Sequence, residues 1–439
     1  MRTAVRGLIH NRWWRFCIYS LTLMTSSVLY SGWVAMSMYM RDQGVFEWLC
    51  DPNDEVDLHS GMLCDAQAAA FTLCLTLVSL CDFLSAALGG FFFDLVGSRA
   101  CGLIGVTLSL SSLPILSFGS NSGVIYSGFV IMGLSTGFLN YPTFSITTAF
   151  PDREDLMMSL MTAAQYGTVL VYPALYAVGR VLGLSFAWAT MSYFFFCLPF
   201  CVLYVISLPR ETRTETTKTQ RRAPHTIWFY LGTVEWVFMT IWSATFLTGF
   251  SSYDGSVVQW ASPFVSTFYQ FFNIAGLFST LLFGWIALRI PNVSPLLTMT
   301  SIGLIVAFSC AYLPGDWRVV SCLWQTLIAN YYFAAKYVYI NQVYPPEFLG
   351  RLTGLSSIVA GVMQLSASAI LSSPYTIRVE GGIVMTVVGS GGVASLILVY
   401  RSYGLKRSYK NDSGLGLETS IAEDPKWDLV QSGSSTCEV

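Results

Sequence analysis

Residues 67–119 read QAAAFTLCLTLVSLCDFLSAALGGFFFDLVGSRACGLIGVTLSLSSLPILSFG. Two apolar runs, 67–93 and 100–119, flank a short turn that holds Asp94, Gly97 and Arg99. A helix of about 20 apolar residues crosses the ~30 Å hydrocarbon core of a bilayer, so each run is long enough to span it. The turn keeps its charges at the boundary. Runs of the same kind recur at 16–40, 123–149, 157–179, 184–208, 227–250, 262–288, 295–314, 319–344, 352–373 and 381–401. The expected fold class is an all-α membrane protein of twelve transmembrane helices. The first run is too long for a signal-peptide core and carries no cleavage site, so it is expected to remain as a span.

Composition agrees. Hydrophobic residues fill 54% of the 439 positions and charged ones 11%, against roughly 25% charged in a soluble domain. The mean hydropathy is +0.57. His10, His59 and His225 all fall outside the apolar runs, which argues against an embedded histidine base, metal ligand or proton relay. No metal-ligand spacing, phosphate-binding loop or nucleophile elbow appears. An enzyme, a cofactor and a nucleic-acid partner are not expected.

Lys and Arg placement sets the expected orientation. With the N-terminus in the cytoplasm, eighteen fall in cytoplasmic segments, only Arg41, Arg180, Arg318 and Arg378 in outer ones, and Lys336 within a span. Both termini are therefore expected in the cytoplasm, with the plasma membrane as the default location. The longest outer loop, 41–66, is acidic and holds Cys50 and Cys64. In an oxidising exterior these either close a disulfide or remain two free thiols. The polar, basic, Thr-rich segment 209–226 divides the chain into a six-span half, 1–208, and a second, 227–401. The tail 402–439 turns Gly-, Ser- and acid-rich and reads as disordered.

The turn Gly90-x-x-x-Asp94-x-x-Gly97-x-Arg99 has a mechanism in its residues. Glycines let two helices turn tightly and pack closely, while the Asp either caps the next helix or pairs with a base. The pattern resembles the loop signature of major facilitator transporters, in which such a cluster latches the two halves on the cytoplasmic side. Six plus six spans around a central loop is also the plan of that fold. The matching place after span eight, Gly284 to Arg289, lacks the Asp.

Further residues narrow the likeness: Gly44-Val45-Phe46-Glu47-Trp48-Leu49-Cys50, then Cys64-Asp65-Ala66-Gln67, Leu73-x-x-Thr76, and Pro345-Pro346-Glu347-Phe348-Leu349-Gly350-Arg351-Leu352-Thr353-Gly354. These patches resemble the sodium-independent large neutral amino-acid transporter family of solute carriers and its apicomplexan relatives. The resemblance implies facilitative or exchange transport of amino acids.

Three ionisable residues fall within the apolar runs: Asp82, Glu235 and Lys336. A charge there costs roughly 2.5–3.5 kcal/mol on insertion scales, so each is expected to face protein or a wet cavity. Glu235 and Lys336 both lie eight residues from the expected cytoplasmic ends of their spans. Equal depth makes them an expected ion pair, read as a substrate clamp, a gate or a static bridge. Asp82 is either a protonation site or a protonated packing residue. Ser26, Ser27, Tyr30, Asn140, Tyr141, Gln165, Tyr166, Trp236, Gln270, Asn273, Tyr332, Tyr337 and Tyr339 supply amides, hydroxyls and aromatic walls on candidate cavity helices. Such a lining suits a zwitterion with an apolar side chain.

The expected function is alternating-access transport of small organic solutes, neutral or large apolar amino acids first. The alternatives are a proton-coupled carrier of a sugar, nucleoside or carboxylate, and a transport-inactive receptor on the same fold. The partners are the solute and the lipid bilayer. A single cysteine placed at Thr217 should react with a membrane-impermeant maleimide only after cells are permeabilised; labelling of intact cells would invert the topology.

Overall fold

The computed structural model describes residues 11–51, 64–209, 226–260, 263–287, 289–290, 292–344, 348–371 and 377–413. The described residues are helical with short turns. In order they form α1 (Arg12–Ser26), α2 (Trp33–Asp42), α3 (Asp65–Val96), α4 (Ser98–Ser117), α5 (Ser122–Phe144), α6 (Glu154–Tyr166), α7 (Val171–Leu182) and α8 (Phe186–Ser207). After the central segment come α9 (Ile227–Leu231), α10 (Val234–Trp260), α11 (Pro263–Ala287), α12 (Ser294–Cys310), α13 (Val319–Val343), α14 (Leu349–Leu371) and α15 (Ile377–Ser413). Within the described residues, the helical stretches 66–96, 98–117, 122–149, 186–207 and 381–402 are long and apolar enough to cross a membrane.

The expected runs reappear with three interruptions. The first run, 16–40, is broken after α1: a 3-10 turn, Leu29–Gly32, leads into α2. The fifth is broken by a 3-10 turn at Gly167–Leu170, between α6 and α7. The seventh is split between α9 and α10 at Gly232 and Thr233. A break in a hydrocarbon-embedded helix frees carbonyls that must find other donors. At the first break they do. Tyr193 donates its hydroxyl to Thr25 O at 2.7 Å, Ser109 to Ser26 O at 2.7 Å, and Thr168 to Val28 O at 3.0 Å. The Ser31 and Thr168 hydroxyls also meet, at 3.0 Å, so the first two breaks lie against each other.

Helix α3 packs against α5 on one side and α14 on another. Both contacts are made by main chain. A Cβ on Gly137 would overlap the Ser85 carbonyl, and one on Gly133 the Val78 carbonyl. On the other side, Gly90 lies against the Gly350 backbone and Gly354 against that of Ala87. Small residues let helix backbones approach in this way where the hydrophobic effect between helices is absent.

The turn between α3 and α4 needs its glycine, because Gly97 has φ 94° and a side chain rarely adopts that conformation. The loop after α2 folds back on the bundle. Phe46 is fully buried against Phe71 and Tyr126, Gln67 donates to Val45 O at 3.0 Å, and a disulfide joins Cys50 to Cys64. The segment 210–225 and residues 414–439 lie outside the described residues. Helix α15 runs to Ser413, so the first residues of the tail expected from 402 are helical.

Gly137→Ala should destabilise the purified protein by about 1–3 kcal/mol, the usual cost of overpacking. Gly382→Ala, where a Cβ meets nothing within 4 Å, should leave the melting temperature unchanged. Equal melting temperatures for the two variants would refute the main-chain contact.

Candidate functional site

Asp82 lies midway along α3, and Tyr30, in the 3-10 turn that breaks the first run, donates its hydroxyl to the Asp82 carboxylate. The break therefore has a positional result: it turns Tyr30 toward α3. Lys336 reaches the same region from α13. Its side chain is buried, its ammonium donates to Ser357 Oγ on α14 at 3.0 Å, and it sits in the field of Asp82. Ser357 in turn donates to Thr353 O at 2.9 Å. A lone ammonium in hydrocarbon is costly; a nearby carboxylate and a hydroxyl acceptor offset that cost.

The Glu235–Lys336 pair expected from equal depth does not form. Among the described residues the ion pairs are Arg41–Asp42 and Arg351–Asp94. The reason is the split at Gly232 and Thr233, which puts Glu235 in the first turn of α10, in the field of Tyr344 at the end of α13. Counting depth from Ile227 as one continuous helix placed it too deep. Asp82 is the carboxylate whose field reaches Lys336, from beyond ion-pair distance.

The other expected residues divide. Tyr166 stands partly open with its ring 5.9 Å from Phe333, and Tyr337 packs against Phe144 at 5.0 Å. Tyr141 and Tyr337 line a recess with Phe93, Asn341 and Gly350. Ser27 donates to Asn140 Oδ1 at 2.6 Å, which commits that amide oxygen to holding the broken first run. Gln165 is half-buried beside Tyr166. Trp236 packs against the main core with its indole N–H buried and without a hydrogen-bond partner among the described residues. Tyr332 does not line a cavity: it is fully buried, stacked on Phe246 at 4.2 Å, with its hydroxyl 2.6 Å from Ser243 Oγ. Tyr339 is likewise buried in the core. The side chains of Gln270 and Asn273 lie outside the described residues.

One carboxylate escaped the sequence reading. With the seventh span ending at 250, Asp254 fell in a loop, yet α10 continues to Trp260. Tyr269 on α11 donates its hydroxyl to Asp254, and Tyr166 lies in the field of that carboxylate. A signal was present. Trp242, Phe246, Gly249, Tyr253 and Val257 keep helical spacing past residue 250, and the four side chains among them are buried. The two phenol–carboxylate pairs mirror each other with the roles exchanged. Before the central segment the phenol precedes the carboxylate in sequence; after it, the carboxylate comes first.

At the end of the bundle holding the α3–α4 turn, Asp94 Oδ2 lies 3.1 Å from Arg351 Nε, with the Asp94 side chain almost wholly buried. Asp94 does not cap the next helix; Gly97 occupies that position. Gln342 donates to Asp155 Oδ2 at 2.9 Å, and Gly284 packs on Ser159, so α13 and α11 are tied to α6 at the same end. Arg99 stands in the first turn of α4. In the matching stretch that lacks the Asp, Arg289 lies over the Trp285 ring.

This arrangement, helices from both sides of the central segment meeting around buried charges and joined at one end by an ion pair, agrees with family comparison. The family model described as Major Facilitator Superfamily matches residues 16–368. The chain belongs to the major facilitator superfamily. It is an integral, multi-pass membrane transporter. A stretch of 189 residues is 29% identical to "Arginine transporter 1" of Toxoplasma gondii, covering 42% of this chain and 35% of that protein's length. Over 383 residues the chain is 21% identical to "Aromatic and large neutral amino acid transporter 5-3" of Toxoplasma gondii, covering 80% of this chain and 75% of that one. The human organic anion transporter MFSD10 (TETRAN) shares the fold, with a TM-score of 0.64 at 13% identity over 87% of this chain and 98% of that one.

Asp94→Asn or Arg351→Ala should loosen this end of the bundle by roughly 1–3 kcal/mol, between the values for exposed and buried pairs. The check is the labelling rate of a cysteine at Ser145, which lines the recess. It should rise about tenfold in either variant and return in the exchanged pair Asp94→Arg with Arg351→Asp. An unchanged rate would remove the ion pair from any latching role.

Proposed function

We propose that the chain carries amino acids across the plasma membrane by alternating access, with the substrate zwitterion held between Asp82 and Lys336. In this reading twelve spans form two six-helix halves, 1–208 and 227–401. The Asp94–Arg351 end and both termini are cytoplasmic, and the disulfide loop is outside. The observation that carries the proposal is the burial of Lys336, on α13 and hydrogen-bonded to Ser357, within the field of Asp82, on α3 and hydrogen-bonded to Tyr30.

An α-amino acid has a carboxylate for the lysine and an ammonium for the aspartate, separated by one carbon. Bringing those groups together requires both halves, so binding favours the closed, occluded arrangement over either open one. Lys336 has one described hydrogen bond, to Ser357, and an ammonium has three protons to donate. Asp82 receives the Tyr30 hydroxyl, while an ionised carboxylate accepts several hydrogen bonds. Both groups thus keep capacity for substrate. Tyr30, Tyr166, Phe333 and Tyr337 supply aromatic surface around them, which suits large apolar side chains. The relatives whose printed names include arginine, aromatic and large neutral amino acids support the amino-acid class.

The test is uptake of labelled amino acids by the purified protein in proteoliposomes. Lys336→Ala should raise KM at least tenfold, in keeping with a lost hydrogen bond between charged groups. Lys336→Arg should retain much of the uptake. Wild-type affinity in Lys336→Ala, with the protein folded, would defeat the assignment.

A further inference from the structure

The Asp82–Lys336 site leaves the recess beyond it without a role. Lys336 and Tyr337 are successive residues on α13, and Tyr337 lines that recess. Its ring packs at 5.0 Å on Phe144 of α5, another lining residue, so helices from both sides of the central segment meet there. Gly350, which precedes Arg351 of the ion pair, is in the lining as well. The recess therefore lies between the buried lysine and the Asp94–Arg351 end. It is a separate place from the Asp82–Lys336 site. Tyr141, in its wall, has its ring 6.5 Å from that of Phe93, and Phe93 is eleven residues past Asp82 on α3, about 16 Å at ~1.5 Å per residue.

One group in the wall points to a ligand. Tyr141 is 5% exposed, and its hydroxyl is buried with no hydrogen-bond partner among the described residues. A hydroxyl that has left water and gained no partner destabilises the fold. Phenylalanine would fill nearly the same space without that cost. Such groups are retained where something else satisfies them.

The neighbouring hydroxyls complement it. Ser145 donates to Pro142 O at 2.6 Å and Thr148 to Ser145 O at 2.8 Å. Each has spent its one proton on the backbone and keeps a lone pair for a donor. Glu154 brings a carboxylate to the same lining. Tyr141 and Ser145 are four residues apart, hence neighbours on one face of the chain as it leaves α5. The wall thus sets an unspent donor beside a group of acceptors. An α-amino acid carries the matching pair, a carboxylate to accept from Tyr141 and an ammonium to donate to Ser145, Thr148 and Glu154.

We propose that the recess is a second amino-acid station, between Lys336 and the Asp94–Arg351 end, in which the Tyr141 hydroxyl donates to the carboxylate after it leaves Lys336. This rests on the amino-acid reading above and concerns the path, not the choice of cargo. A neutral phenol holds a carboxylate less firmly than an ammonium does, so the station favours onward release.

The experiment uses the full-length protein in proteoliposomes. Its probe is the amino acid that the wild type takes up fastest from a labelled mixture of the proteinogenic set. Uptake reports the Lys336 site. Maleimide labelling of Leu349→Cys, at a residue lining the recess, reports the station when read at that residue by mass spectrometry. The amino acid should slow this labelling with and without Lys336→Ala. Adding Tyr141→Phe should raise the half-protecting concentration at least tenfold, in keeping with a lost hydrogen bond to a charged group. The KM of uptake should change less than twofold while the maximal rate falls. Tyr141→Phe should melt no lower than wild type, because its hydroxyl has no partner to lose. Absent protection, protection that survives Tyr141→Phe, protection that vanishes in Lys336→Ala, or a lower melting temperature in Tyr141→Phe would each overturn the station and leave amino-acid transport standing. A folded wild type that takes up nothing from the mixture would overturn amino-acid transport itself.

Discussion

Everything in the bundle is referred to one constraint: α3 is held on two sides by glycine contacts that leave no room for side chains. Gly133 and Gly137 bring α5 onto it, and Gly90, Gly350 and Gly354 bring α14. A side-chain interface can adjust by rotamer changes, but two backbones at van der Waals distance cannot. The position of Asp82, midway along α3, is thereby fixed relative to helices from both sides of the central segment. Lys336 is fixed in turn through Ser357 on α14. Each charge is positioned by how the backbones beneath it pack.

A second constraint acts on the first run. In hydrocarbon every carbonyl released by a helix break must be met by protein, and the donors come from two helices and a turn: Ser109 from α4, Tyr193 from α8, and Thr168 from the turn before α7. This stitched break converts an otherwise straight span into a bend that delivers Tyr30 to Asp82. The same polar residues that satisfy the backbone thus organise the site, and Asn140, caught by Ser27, belongs to that stitching rather than to a substrate surface.

Much of this could be read from the residues, and the failures have physical causes. Apolar runs of span length and the Gly90–Arg99 turn led to the fold, since bilayer thickness and tight turns act locally on sequence. The depth of Glu235 was misjudged because the split at Gly232 and Thr233 is a local irregularity that hydropathy does not register. Asp254 was lost because polarity at Ser251, Ser252 and Gly255 outweighed the buried spacing of Trp242, Phe246, Tyr253 and Val257. Tyr332 and Tyr337, five residues apart, face a packed core and a recess respectively. Only the neighbouring helices decide which is which.

The glycine seam also bears on how such a carrier diversifies. Any side chain added in the seam meets the partner helix's main chain, which no rotamer change can move, so the seam resists gradual retuning. Side chains such as Tyr30 and Tyr166 carry no such burden. Under the proposed reading, cargo preference can change at those side chains without disturbing the frame that holds them.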